Sequence, residues 1–367
     1  MVSITILFSA MRDWLAPRTL WPLMLLTALL ATLPALVLQA RADELPTGVF
    51  SLTPPGKPVS EAILTSPLVA GVTIRWPWQK VEPVEGVYDW SYLDQEITRV
   101  ANAGKMVLLR IPSGGKSTPQ WVFDAGVQTF SFVDPVSNQP LTIPLWWDPM
   151  FLAKKKNFIA AAGQHFADHP NVVLVSSSCA NTTSDDWAVP TSSTDVQNLL
   201  ALGYTSQKLI NACKGIIDAT RAAFPNQVTL MAVSRGIKGL DPNADYVATK
   251  VVNYAMTRYP GLFVAQKNSL SARTLDPWTS SHLQGWKVLY DNRPMVAGQM
   301  VWYVTDDPTC RMNGKITPCD PVQVLRQAVI IGSHYEMLYQ EIYQEDILNP
   351  ALVGVISEAA SLLLSIA

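Results

Sequence analysis

The sequence predicts an α/β protein built as a single (β/α)8 TIM barrel, and three observations predict it. Short apolar, β-rich runs alternate with longer segments of helical period along the whole chain beyond its first forty residues. Eight such runs are present, the number that closes a parallel sheet on itself. No Gly-rich turn follows the first run, where an open dinucleotide-binding sheet would carry one.

The N-terminus stands apart from this pattern. Arg12 and Arg18 precede an almost uninterrupted apolar stretch from Leu20 to Leu38, which ends in "QARAD" with Ala40 and Ala42 at the small-residue positions of a cleavage site. That is the make-up of a secretory signal peptide over residues 1–42, leaving 43–367 as the barrel domain. The alternative is a retained anchor, since a run of ~20 apolar residues spans a bilayer. The cleaved reading makes the protein secreted or periplasmic, with no membrane contact in the mature form.

The eight runs are Val49 to Leu52, Ala70 to Arg75, Met106 to Ile111, Val172 to Ser176, Val228 to Val233, Leu262 to Gln266, Met295 to Met300 and Tyr335 to Gln340. Between the second and third, "DWSYLDQEITRVANAG" puts Leu93, Ile97, Val100 and Ala101 on one face and stops at Gly104, a helix with a glycine at its C-terminal end. Similar helices are expected at 150–167, 205–223, 321–332 and 350–365.

Charge and cysteines narrow the function. Loss of residues 1–42 takes the basic residues from 27 to 24 and the acidic ones from 29 to 28, a mature net charge near −4. With no Lys/Arg run, nucleic acid is not the expected partner. In "CRMNGKITPC" the short loop between Cys310 and Cys319 suits a disulfide, whereas Cys179 and Cys213 are either a bridge or buried thiols. No cysteine or histidine spacing is that of a metal site, and no cofactor is implied. "PSGGKST" lacks the glycine five residues before Gly115, where Arg110 stands, so it reads as a barrel loop and not as a phosphate-binding loop.

Barrel function concentrates on the loops after the strands. Arg75, Trp76 and Trp78 follow the second run, Trp146 and Trp147 lie beyond the third, and "SSSCANTTSDDW" with Asn181, Asp185, Asp186 and Trp187 follows the fourth. Trp302 and Tyr303 follow the seventh, and Glu341 and Tyr343 the eighth. Flat aromatic faces beside amides, carboxylates and arginine suit a pyranose, whose C–H face stacks on an indole while its hydroxyls need donors and acceptors. An oligo- or polysaccharide is the expected partner.

The stretch "VTIRWPWQKVEPVEGVYDWSYLDQEITRVANAGKMVLLRI" resembles the second and third strands of the (β/α)8 glycoside hydrolases of the β-galactosidase-like and cellulase-like superfamily. The residues that carry this are Trp78, Glu82, Pro83, Gly86, Tyr88, Asp89 and Trp90, and the resemblance is specific over residues 70–125. It implies an acid/base glutamate in an Asn-Glu pair after the fourth strand and a nucleophilic glutamate at the end of the seventh. This sequence departs at both. Thr182 follows Asn181, and Gln299 stands at the position resembling the nucleophile. Neither side chain does a carboxylate's work.

Three readings follow. In the first, a glycoside hydrolase uses relocated carboxylates, Asp185 or Asp186 as acid and Glu341 as nucleophile or base, with Arg75, Trp76, Trp78, Trp147, Asn181, Trp187, Gln299 and Trp302 binding substrate. In the second, the barrel binds glycans without cleaving them. In the third, its aromatic loops meet protein at the envelope. Each residue has a plainer reading: Asp185 and Asp186 as turn caps, Glu341 as a rim ion pair, Arg75 as a buried ion pair that the resemblance replaces with carboxylate orientation, the tryptophans as core, and Glu82 and Glu85 as structure of the turn.

Overall fold

Eight parallel strands close into a barrel in the computed structural model, which describes residues 45–134, 138–182 and 186–365. The expected signal peptide, residues 1–42, lies outside the described residues, as does Asp185. The strands are β1 (Gly48–Leu52), β2 (Gly71–Arg75), β3 (Met106–Arg110), β4 (Val172–Ser177), β5 (Val228–Ala232), β6 (Phe263–Leu270), β7 (Val296–Met300) and β8 (Tyr339–Tyr343). Each pairs with its chain neighbours, and β8 pairs with β1 to close the ring.

Seven of the expected strands are found within a few residues of their place. The eighth is displaced by four. Tyr335 to Leu338 form the turn after the helix Pro321–His334, with Glu336 in the left-handed region at φ 53°, and the strand begins at Tyr339. Glu341 and Tyr343 therefore belong to β8 itself and not to the loop beyond it.

The expected helices are present as Ser91–Asn102, Pro149–Phe166, Ser206–Ala223, Pro321–His334 and, after a short 3-10 turn, Val353–Leu364. The first buries Leu93, Ile97 and Val100, about 2 kcal/mol for each side chain taken out of water. A helix at Tyr246–Arg258 was not foreseen: its valines favour strand by their branching, yet Val247, Val251, Val252 and Ala255 all fall on one buried face. Also unforeseen are a helix at Ser193–Ala201 and an antiparallel hairpin, Thr129–Val133 with Pro140–Pro144, between β3 and β4. No helix among the described residues is long and apolar enough to cross a membrane.

The barrel interior is layered. Phe50, Leu108, Leu174, Leu230, Val264 and Tyr339, one from each of six strands, form a buried cluster. Side chains alternate along a strand, so the residues two places further on occupy the next layer toward the mouth. Among them are Arg110 after Leu108, Gln266 after Val264 and Glu341 after Tyr339, joined by Gln299 after Ala297, the member of the same buried cluster on β7. An apolar floor thus carries a polar storey.

Both disulfides are formed, Cys310 with Cys319 and Cys179 with Cys213. Each ties down a loop of the mouth, the first after β7 and the second after β4.

Candidate active site

Glu341 is the centre of the polar layer and is fully buried. Its Oε1 accepts from the Thr73 hydroxyl at 2.5 Å, and its Oε2 accepts from an Arg110 N–H at 2.6 Å and from the Gln266 amide at 2.5 Å. Arg110 is itself 2% exposed and donates at 2.7 Å to Oε1 of Gln299, which lies beside Glu341 across the β7–β8 ladder. A buried carboxylate is tolerated only when paired and hydrogen-bonded, and Glu341 is both. Below it, the Tyr339 hydroxyl donates to Gln266 at 2.7 Å; burial, reinforced by the charge of Glu341, pushes this phenol well above its ordinary pKa.

The network extends to the surface through Gln266. The Gln266 amide also donates to Asn268 at 2.7 Å, and Asn268 donates to the carboxylate of Asp186, which is partly exposed on the loop after β4. Gln266 and Asn268 thus connect the carboxylates of Glu341 and Asp186.

The loops after β3 and β4 are pressed together at this mouth. A Cβ on Gly115, whose φ is +55°, would lie 1.6 Å from the carbonyl oxygen of Thr182, and one on Gly114 would lie 2.8 Å from the Asn181 side chain. The glycines of "PSGGKST" therefore serve close approach of two loops, while Lys116 pairs with Asp134 at 2.9 Å. At the loop bases the hydroxyls of Ser113 and Ser178 meet at 3.1 Å. Behind them Lys155 donates to the Ser178 carbonyl at 2.6 Å, and its burial lowers the ammonium pKa to about 7.

The residues expected to bind substrate divide sharply. Trp78 is wholly buried, donates its N–H to Glu82 at 2.7 Å and stacks on Phe158; it is core, and Glu82 is structural as expected. Trp187 is 4% exposed and donates to the carbonyl of Arg235. Trp76 packs over Gly56 and against Tyr92, and Trp147 packs edge-on to Trp146 and Tyr204. Arg75 spends its guanidinium on the Thr53 carbonyl, at 3.0 and 2.8 Å, and pairs with no carboxylate among the described residues. The arginine on the carboxylate is Arg110, its register partner on β3. Glu341 is no rim residue but the buried centre. Asn181 lies buried with its amide toward the Asp186 carbonyl, at 3.2 Å.

Trp302 is partly exposed beyond β7, as Trp76 and Trp147 are on their loops, and it stands in a group with Tyr303 and Tyr343, with the Arg311 guanidinium 4.1 Å from its ring. Its loop is anchored by Asp346, fully buried, which accepts from the backbone N–H groups of Val304 at 3.0 Å and Thr305 at 2.8 Å. Burial raises the Asp346 pKa against the opposing effect of those hydrogen bonds.

Sequence reasoning missed Arg110, Gln266, Asn268 and Thr73. The available signal was parity: a polar side chain two residues beyond an inward apolar one, near the end of a barrel strand. Among the described residues no three His, Cys, Asp or Glu side chains gather as a metal-holding group.

Residues 69–178 match the sequence profile of the β-galactosidases of glycoside hydrolase family 42. The fold is that of a glycoside hydrolase-like (β/α)8 barrel. Among solved structures, the β-galactosidase of the psychrophilic Marinomonas ef1 shares 10% identity over 87% of this chain and 59% of its own, with a TM-score of 0.53. The catalytic domain of β-amylase from Paenibacillus polymyxa shares 10% over 88% of this chain and 99% of its own, at 0.55. The β-galactosidase of Rahnella sp. R3 shares 12% over 89% and 57%, at 0.53. This chain spans less than two thirds of the length of either β-galactosidase.

Proposed function

We propose that this glycoside hydrolase-like barrel holds a carbohydrate at the mouth and does not cleave it by the two-glutamate route that its sequence resemblance implies. The observation that carries this is the state of Glu341. It is the only carboxylate of the described polar layer, yet it is wholly buried and accepts three hydrogen bonds from Thr73, Arg110 and Gln266. A glycosidase nucleophile must meet the anomeric carbon, and a carboxylate with no exposed surface reaches it only after the side chains that cover it move. At the nucleophile position Gln299 is held by Arg110, and an amide forms no glycosyl ester.

Sugar hydroxyls would be met by Gln299, Asn268 and Asp186, and sugar C–H faces by the Trp302 group. Two disulfides, with no membrane-crossing helix among the described residues, fit an exported protein.

A second reading has one observation in its favour: Gln266 and Asn268 couple Glu341 to Asp186, so a proton-donating Asp186 and a Glu341 base would be joined. Calorimetric titration with β-linked oligosaccharides, alongside a panel of chromogenic glycosides, separates the two. Binding without turnover is expected. Turnover that disappears in Glu341→Gln while binding survives would overturn the proposal in favour of the hydrolase.

A further inference from the structure

Far from the mouth, one tryptophan is placed unlike the others. Trp278 is 72% exposed, the largest exposure of any large apolar side chain among the described residues. It lies in the segment between β6 and the short helix Lys287–Tyr290, against the C-terminal end of the helix Pro321–His334, which leads back to the start of β8. That start is the end of the barrel opposite the mouth.

The ring is fixed. One face stacks on His334, with centroids 3.4 Å apart and planes 14° from parallel. Asp276 holds both partners: its Oδ1 lies 2.9 Å from Nδ1 of His334 and accepts from the Trp278 backbone N–H at 2.9 Å. The Tyr335 hydroxyl secures the same segment through the Leu275 carbonyl at 2.7 Å. The outer face of the indole is left solvent-facing, and the exposed hydroxyl residues Thr279 and Ser281 follow it closely in the chain.

We propose that Trp278, backed by His334 and Asp276, is a second carbohydrate site, a platform for one pyranose ring of a polysaccharide whose other residues reach past it. Area decides between occupants. A stable protein partner buries about 800 Å² on each side, whereas one aromatic ring offers roughly 150–250 Å². A single pyranose matches that patch, with its C–H face on the indole and its hydroxyls toward the flanking side chains. The choice of carbohydrate rests on the reading of the mouth given above. A chain held at both places would gain avidity, because the second contact forms at the high effective concentration set by the first.

The test is affinity electrophoresis of the full protein in gels containing soluble galactan, β-glucan, xylan or starch, for wild type, Trp278→Ala and Trp302→Ala, with titration of short oligosaccharides in parallel. The expected result is retardation of the wild type by at least one polysaccharide, a loss of at least fivefold in its apparent affinity in Trp278→Ala, and unchanged oligosaccharide binding at the mouth. Equal retardation of wild type and Trp278→Ala overturns the platform, and leaves the mouth reading intact if oligosaccharides still bind. Retardation that depends on Trp278 without oligosaccharide binding overturns the mouth reading alone. A fall in melting temperature of Trp278→Ala with unaltered retardation assigns the ring to shielding His334 and also overturns the proposal.

Discussion

The two sides of the barrel mouth carry similar aromatic residues and use them differently. Around the loops after β2, β3 and β4, four indole N–H groups donate into the protein: Trp78 to Glu82, Trp121 to the Glu82 carbonyl, Trp146 to the Asn181 carbonyl and Trp187 to the Arg235 carbonyl, while Trp76 and Trp147 stay partly exposed, packed against Tyr92 and Tyr204. On the β7–β8 side, Trp302 has no such hydrogen bond among the described residues and keeps part of its ring in solvent. The first side spends four of its tryptophans on holding loops, and the second leaves its aromatic group available. A donating N–H, more than loop position, marks the tryptophans that act as pins.

The strongest way to break this division is to attack the network between the two sides. Arg110→Met removes the charge partner of a fully buried carboxylate, and one-sided removal of a buried pair costs about 3–5 kcal/mol. Urea denaturation is expected to show a loss of that order. A loss below about 1 kcal/mol would mean that Glu341 takes up a proton or that water enters, and the mouth would then be far less rigid than its hydrogen bonds indicate.

Parity made the network legible in principle, and composition hid it. Strand order, five of the helices and the Cys310–Cys319 bridge follow from apolar period and spacing, because burial of apolar faces imposes those patterns. The eighth strand slipped because "YEMLYQ" has strand-like composition, while Glu336 takes a left-handed turn that composition does not announce. Arg75 and Arg110 end adjacent strands in equivalent register, so the sequence has no means of telling which guanidinium reaches the carboxylate. The tryptophans misled for a related reason: a loop position does not reveal whether a ring turns inward.

A second prediction sharpens the picture of the pinned side through pH. Lys155 supports the Ser178 carbonyl from behind, and its folded pKa of about 7 lies well below the value of about 10.4 for a lysine in an unfolded chain. Between roughly pH 7 and 10 the unfolded chain retains a proton that the folded protein has released, so stability rises with pH across that window. Below about pH 7 both states are protonated and the full cost of the buried charge is present. Lys267, lowered to about 8 by burial, acts in the same direction from a higher starting point. Lys155→Met is therefore expected to flatten the rise by up to about 1.4 kcal/mol per pH unit, read from urea denaturation at pH 7, 8 and 9. An unchanged slope would mean that Lys155 is not desolvated, and that the loops after β3 and β4 are open to water at their bases.

The smallest effect on stability should accompany the clearest effect on binding. Trp146→Phe keeps an aromatic ring in place and deletes the donor to the Asn181 carbonyl, which costs about 1–3 kcal/mol when a buried acceptor loses that bond. Trp302→Ala removes a partly exposed ring from a loop that Asp346 and the Cys310–Cys319 bridge continue to hold, so its stability cost should stay under about 1 kcal/mol. Its cost in oligosaccharide affinity should be on the order of tenfold, about 1.4 kcal/mol. The two substitutions thus exchange roles across the mouth, one lowering stability more than affinity and the other affinity more than stability. Arg311 sits on the Trp302 ring in the free protein, so a sugar that stacks there must displace the guanidinium or share the ring with it. Arg311→Ala distinguishes these cases. Tighter binding identifies Arg311 as a competitor for the indole face, and weaker binding identifies it as part of the sugar's own contact. If Trp302→Ala left affinity unchanged while Trp146→Phe lowered it, the division would be reversed, and the glycan would lie against the loops after β3 and β4.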